Sequence, residues 1–174
     1  MRKVLIIGSG GSGKSTLARR LGQLTRLEVI HLDQFYWRSG WVETPRAEWL
    51  EVLNRILKRD EWIMDGNYSG TLDVRLKACD TIIFLDLPAI VCVWRILVRM
   101  IKNLGHTRPD MSSGCPERFN PEFIRWVWNY RIQSRPRVLQ LLEEYRASKR
   151  IIALDSTRAV REFLSEFETT VRFD

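Results

Sequence analysis

The stretch VLIIGSGGSGKSTLARRL, residues 4–21, sets four glycines, a lysine and several hydroxyls between an aliphatic run and an amphipathic one. Its core, Gly8-Ser9-Gly10-Gly11-Ser12-Gly13-Lys14-Ser15, fits G-x-x-x-x-G-K-[ST]. Ordering a glycine costs more backbone entropy than ordering any other residue, so four of them need a reason. Glycines allow consecutive backbone N–H groups to turn inward around an anion, in a nest that side chains would obstruct. The helix that follows adds the partial positive charge of its first turn, where Thr16 also lies. Lys14 then neutralises the β- and γ-phosphates of a nucleoside triphosphate, and the Ser15 hydroxyl ligates Mg²⁺. The motif indicates ATP and Mg²⁺ but names no reaction. A guanine-reading N-K-x-D is absent, and 174 residues are few for an oligomeric ATPase module. A small kinase moving the γ-phosphoryl to a second molecule is the remaining expectation.

Such a reaction needs further groups. Asp65 ends a short apolar run and precedes Gly66. It can hold Mg²⁺ through water while Gly66 lets a substrate approach the backbone, or it can simply begin a turn. Asp86 ends another run and reads as a helix cap beside Pro88. Asp33 can accept the proton of an attacking hydroxyl or anchor a substrate amine or ribose; toward a phosphate acceptor it only positions. Phe35, Tyr36, Trp37 and Trp41 suit either stacking on a planar substrate or a small core of their own. His31 reads as a structural histidine.

Charge sharpens the picture. The net +7 is concentrated: between 95 and 137 nine Lys and Arg face three acids, a net +6. Arg95 and Arg99 share one helix face at i, i+4, as do Arg131 and Arg135, and neither pair has a matched acid in sequence. Planar guanidiniums bind the equatorial oxygens of a transferring phosphoryl group, so Arg99, Arg131 and Arg135 join Lys14 and Asp33 as expected catalytic residues. The same patch supports an alternative of another class, a DNA-binding regulator.

These residues must be positioned by a scaffold. Five short apolar runs, 3–8, 27–33, 62–66, 81–87 and 150–155, read as buried parallel strands. Between them lie helical patterns over 15–24, after Thr44-Pro45 (read as a cap and first-turn proline), over 91–101, over 122–145 with Pro136 as an interruption, and from a Ser156 cap to 167. The alternation predicts a single α/β domain over 1–174 with right-handed crossovers. Segment 103–121, with two Gly and three Pro, reads as a functional surface loop. Three cysteines without a C-x-x-C pair speak against a disulfide framework or zinc site. With no signal-peptide layout and no unbroken apolar span, a cytoplasmic chain without membrane contact is expected. Oligomeric state is not legible.

Asp86-Leu87-Pro88 followed by Arg95 and Arg99 resembles adenylate kinases at the start of their lid. There the first arginine lies against adenine and the second meets phosphate. Asp65-Gly66 is similar to their "DG", but Asn67-Tyr68-Ser69 replaces the usual phenylalanine, proline and arginine. The arginine that holds the AMP phosphate is thereby lost, and Arg46 and Arg75 are the candidate replacements. "DQFY" at 33–36 is similar to a motif of uridine-kinase-like enzymes, in which Asp33 would be a general base toward a hydroxyl. Over nearly the whole chain the sequence resembles the adenylate-kinase-like DNA topology modulation proteins, through Leu32–Trp41, Asp65–Tyr68 (DGNY), Thr107–Met111 (TRPDM), Gly114–Arg118 (GCPER) and Ser134–Arg137 (SRPR). This resemblance implies a P-loop fold with five parallel strands ordered 2-3-1-4-5 and helices on both faces. It also implies a substrate-side insertion at about 34–60, bearing Trp37 and Arg46 with Tyr68 and Arg75 nearby, and a lid at 103–121.

Overall fold

A computed structural model describes the backbone of residues 1–173 and the side chains of 1–169. Its central sheet contains β1 (Lys3–Gly8), β2 (Val29–His31), β5 (Trp62–Asp65), β6 (Thr81–Leu85) and β7 (Arg150–Leu154). All pairings are parallel, in the order β2-β5-β1-β6-β7. Counting these five alone gives the expected 2-3-1-4-5. The numbers three and four belong to a separate antiparallel hairpin, β3 (Trp37–Arg38) and β4 (Val42–Glu43).

Period-two alternation divides the strands' side chains between two cores. Leu5 and Ile7 of β1 face a cluster covered by α3 (Arg46–Leu57), α4 (Leu72–Ala78) and α7 (Arg135–Tyr145). Val4 and Ile6 face the opposite cluster, under α1 (Lys14–Thr25), α5 (Ala89–Asn103), α6 (Pro121–Gln133) and α8 (Thr157–Phe173). Burial on both sides explains why these strands are uniformly aliphatic. β1 is central, and the chain leaves it toward β5 on one side and β6 on the other. The carboxyl ends of these strands form the crevice where open α/β sheets bind ligands.

Local chemistry sets several boundaries. Pro136 does not kink one long helix; it sits in the first turn of α7, where a missing N–H is tolerated, and α6 stops at Gln133. Ser156 caps α8, accepting from Ala159 N at 3.1 Å. Thr44 is not the cap of α3: Pro45 holds that position, and the Thr44 hydroxyl donates to Phe35 O at 3.0 Å. A four-residue helix, α2 (Asp33–Tyr36), opens directly from β2. All three cysteines are free and buried. Among the described residues no helix is long and apolar enough to cross a membrane.

Asp86 is not a helix cap either. Both its carboxylate oxygens accept from Arg135, at 2.7–2.9 Å, tying the end of β6 to the start of α7. Arg135 thus stands as a structural strut outside the cavity, contrary to its expected catalytic place, and Asp86 holds its guanidinium above the ordinary arginine range. Arg135→Ala leaves a half-buried carboxylate unpaired, so a loss of about 2 kcal/mol is expected. At this chain length that is a fall of about 4–8 °C in Tm. Calorimetry and steady-state assays on the variant should show the lower Tm with kcat unchanged.

Candidate active site

The turn between β1 and α1 is built against its neighbours as closely as backbone permits. Gly8, Gly11 and Gly13 have φ of 146°, 71° and 101°. A Cβ on Gly8 would lie 2.5 Å from Leu85 O, and one on Gly11 would lie 2.3 Å from Cys92 O. One on Gly10 would meet the Phe123 ring at 2.7 Å. The Ser9 and Ser12 hydroxyls are buried in this turn with no partner. Lys14 folds back across it, its Nζ donating to Ser9 O at 2.7 Å. Burial pushes the Lys14 ammonium below its usual range, against the pull of Asp65 and Asp33.

A cavity of about 810 Å³ opens over this turn. Its floor holds Gly10, Gly11, Gly13–Thr16, His31, Asp33 and Asp65–Tyr68, its walls Arg95, Arg99 and Phe123, and its roof Arg108–Met111, Glu117 and Arg118. Register explains the floor: Asp65 ends β5 opposite His31 of β2 and Ile6 of β1. His31 Nδ1 lies 2.7 Å from Asp65 Oδ1. Burial works against charge on the imidazole, but the bond and charge of Asp65 outweigh it and raise its pKa. Asp33 accepts a hydrogen bond from the Tyr68 hydroxyl. Burial raises the Asp33 pKa; the Tyr68 bond opposes this and Asp65 reinforces it.

The roof is segment 103–121, closed over the floor. It is pinned internally by Glu117 N to His106 O at 2.9 Å and Gly105 N to Glu117 O at 3.0 Å. It is joined to the hairpin by Gly40 N to Gly114 O at 2.8 Å, Trp41 Nε1 to Pro116 O at 3.0 Å and Cys115 Sγ to Arg38 O at 3.1 Å. Gln34 Nε2 donates to Pro109 O at 2.8 Å. Inside, the buried Glu117 carboxylate accepts from Arg99 Nη2 at 3.0 Å and forms an ion pair with Arg108, whose Nε lies 2.8 Å away without hydrogen-bond geometry. Arg108 also reaches Asp110 at 2.7 Å. Despite burial, Arg108 holds the Asp110 carboxyl below the usual range, helped by a hydrogen bond from the Ser15 hydroxyl. Burial and the adjacent Arg108 lower the pKa of Arg99, with Glu117 opposing.

Nothing here forms an all-protein metal cage: among the described residues no three His, Cys, Asp or Glu converge as one. Mg²⁺ does not ask for that, since it takes one or two protein oxygens, water and substrate phosphates. The Ser15 hydroxyl and Asp65 beside a turn with unpartnered buried hydroxyls fit that pattern.

In architecture the chain matches solved kinases. It superposes on a gluconokinase from Sinorhizobium meliloti 1021 with a TM-score of 0.55 at 16% identity, over 98% of this chain and 91% of that one. For a shikimate kinase from Acinetobacter baumannii in complex with shikimate the TM-score is 0.59, at 16% identity, over 99% and 93%. No protein-family model and no curated protein matches the sequence. The fold is that of the small P-loop kinases.

Within this kinase fold the sequence-predicted residues part company. Gly10, Gly11, Gly13–Thr16, Asp33, Trp37, Asp65, Gly66, Tyr68, Arg95 and Arg99 all line the cavity. Arg95 sits at its rim, donating to Ser12 O at 3.2 Å and Thr157 Oγ1 at 2.8 Å. Arg131 is exposed and, like Arg135, outside the cavity wall. Arg46 is exposed at the start of α3, also outside it. Arg75 is 0% exposed and donates to the carbonyls of Gly66 (2.9 Å), Tyr68 (2.5 Å) and Thr71 (3.3 Å). Burial pushes its guanidinium down to about 10. It clasps the Gly66–Thr71 loop from behind and is not a substrate ligand. The aromatic residues of 34–68 pack on one another, Tyr36 against Tyr68 at 4.3 Å and against Trp49 at 5.3 Å, so most are a local core. Trp37 and Trp41 alone among 35–41 reach the cavity.

Asp110 and Glu117 are the acids that reading the arginines in sequence missed. Neither arginine pair lacks an acid, since Arg99 meets Glu117 and Arg135 meets Asp86. The available signal was that two of the three acids in the basic stretch fall inside the lid, near Arg108 and Arg118.

Two of the four arginines that stand outside the site, Arg75 and Arg46, separate cleanly by experiment. Arg75→Met strands three carbonyls and should cost about 3 kcal/mol or more, at about 1–3 kcal/mol each. Arg46→Met, on the surface, should stay within about 0.5 kcal/mol. Denaturant titrations of both variants measure the difference.

Proposed function

We propose that the protein transfers the γ-phosphoryl group of Mg-ATP to a hydroxyl of a small acceptor, with Asp33 as general base. The observation that carries this reading is the convergence of Lys14, Asp33 and Tyr68 on one cavity from which Arg46 and Arg75 are excluded. A monophosphate acceptor would need a cation on the insertion side. Arg38 there is paired with Glu48, Arg46 faces outward and Arg75 is spent on backbone carbonyls. The gluconokinase and shikimate kinase neighbours, named for hydroxylated substrates, are in keeping with it.

The chain's own groups divide the work. Lys14 exchanges the Ser9 carbonyl for the β- and γ-phosphates within the nest of amides. Ser15 and Asp65 would hold Mg²⁺, which supplies charge neutralisation on the phosphates when bound. Arg99 and Arg108 meet the developing charge on the equatorial oxygens, and Arg95 borders the nucleotide. Tyr68 fixes Asp33 so that its other oxygen can take the acceptor's proton as the new O–P bond forms and the bond to ADP breaks. Trp37 and Trp41 flank the acceptor, under the lid.

Four of the five motifs shared with the DNA topology modulation proteins border this cavity or its lid, and this supports placing the chain in that group as a nucleotide-handling enzyme. Five of the nine cations of the basic stretch are engaged within the protein and are not offered to DNA. Arg95, Arg99 and Arg108 turn into the cavity, Arg118 lies over Trp41 at 5.5 Å, and Arg135 is paired.

ADP release with Mg-ATP, screened over polyols, hydroxy acids, nucleosides and nucleoside monophosphates, should find turnover with a hydroxyl acceptor and none with Lys14→Ala. Asp33→Asn should lower kcat by about 10²–10⁴-fold. The raised Asp33 pKa places its folded value above its unfolded one. Stability is therefore lost as pH rises between the two, and Asp33→Asn should increase Tm at pH 7. Undiminished kcat in Asp33→Asn, or turnover confined to monophosphates, would overturn the hydroxyl reading.

A further inference from the structure

Helix α5 is apolar on two sides. Cys92, Ile96 and Met100 face the core. On the opposite side Ile90, Trp94, Leu97 and Ile101 recur with spacings of four, three and four, and Leu104 follows three residues on, just past the helix end. This is the 3.5-residue repeat of a helix seam. Except for half-buried Leu97, these residues are between 61% and 79% exposed. Solvation does not account for such a stripe on one side of a helix. A groove of about 330 Å³ runs beside Trp94 and Val98, able to accept a side chain.

We propose that this face joins a second copy of the chain, with α5 packed antiparallel on α5 about a two-fold axis at Leu97. The spacing is nearly self-complementary about that point: Ile90 of one copy falls opposite Leu104 of the other, seven residues either side, and Trp94, three residues from the axis, falls within one residue of Ile101, four residues from it. Charge fixes the direction. Arg95 is turned inward to Ser12 and Thr157, leaving Lys102 as the exposed cation beside the stripe. A parallel pair sets the two Lys102 side by side. The antiparallel pair places each five residues beyond the axis, about 15 Å apart along the helices, outside the Debye length of about 8 Å at physiological salt.

Sedimentation velocity on the full chain from 1 to 100 µM tests the proposal independently of any activity. The expected result is a dimer that Trp94→Glu with Ile101→Glu converts to a monomer of half the mass and unchanged circular dichroism. Leu97→Cys should then form an intermolecular disulfide under mild oxidation, against a low background because the three native cysteines are buried. A monomer throughout the range, a dimer indifferent to the two glutamates, or a dimer without Leu97→Cys cross-linking overturns it. So does a monomer that floats with phosphatidylglycerol vesicles, since the stripe would then serve a lipid surface.

Discussion

The close approach of backbone to backbone around Gly8–Gly13 is the constraint from which the rest of this structure follows. Glycine is required there twice over. Inward-facing amides need unhindered, partly left-handed backbone, and the carbonyls of Leu85 and Cys92 lie where side chains would begin. The same contacts set β6, α5 and α6 against the turn, so the anion nest and the core beneath α5 are one piece of packing. A larger residue at Gly11 would move the helix that carries Arg95 and Arg99 as well as narrowing the nest.

Around that fixed turn the protein handles its charge by folding it inward. Arg99 and Arg108 converge on Glu117, with Asp110 beneath them bonded to the hydroxyl of Ser15. Buried cations need partners, and here the roof's own acids supply them. On the floor Asp33 and Asp65 are steadied by Tyr68 and His31. The cavity thus carries guanidiniums paired with carboxylates above and two hydrogen-bonded aspartates below.

Much of the scaffold was legible in sequence because two-sided burial leaves a plain mark: five aliphatic runs, each ending in glycine, an acid or a turn. The phosphate loop was legible because its glycines have no cheap alternative. What was not legible depended on which neighbour a long side chain meets. Arg75 and Arg135 look like ligands in a string of letters. Only folding shows one aimed at three carbonyls and the other at Asp86. Asp110 and Glu117 were hidden for the converse reason, being far in sequence from Ser15 and Arg99. The hairpin 37–43 escaped notice because its two-residue strands are too short for alternation to register.

The roof over the cavity is stitched to α2 and the hairpin by hydrogen bonds from Gln34, Gly40, Trp41 and Cys115, spread along both segments. These bonds are distributed from residue 34 to residue 41 on one side and from 109 to 116 on the other, so the roof and the segment facing it form one connected body above the cavity.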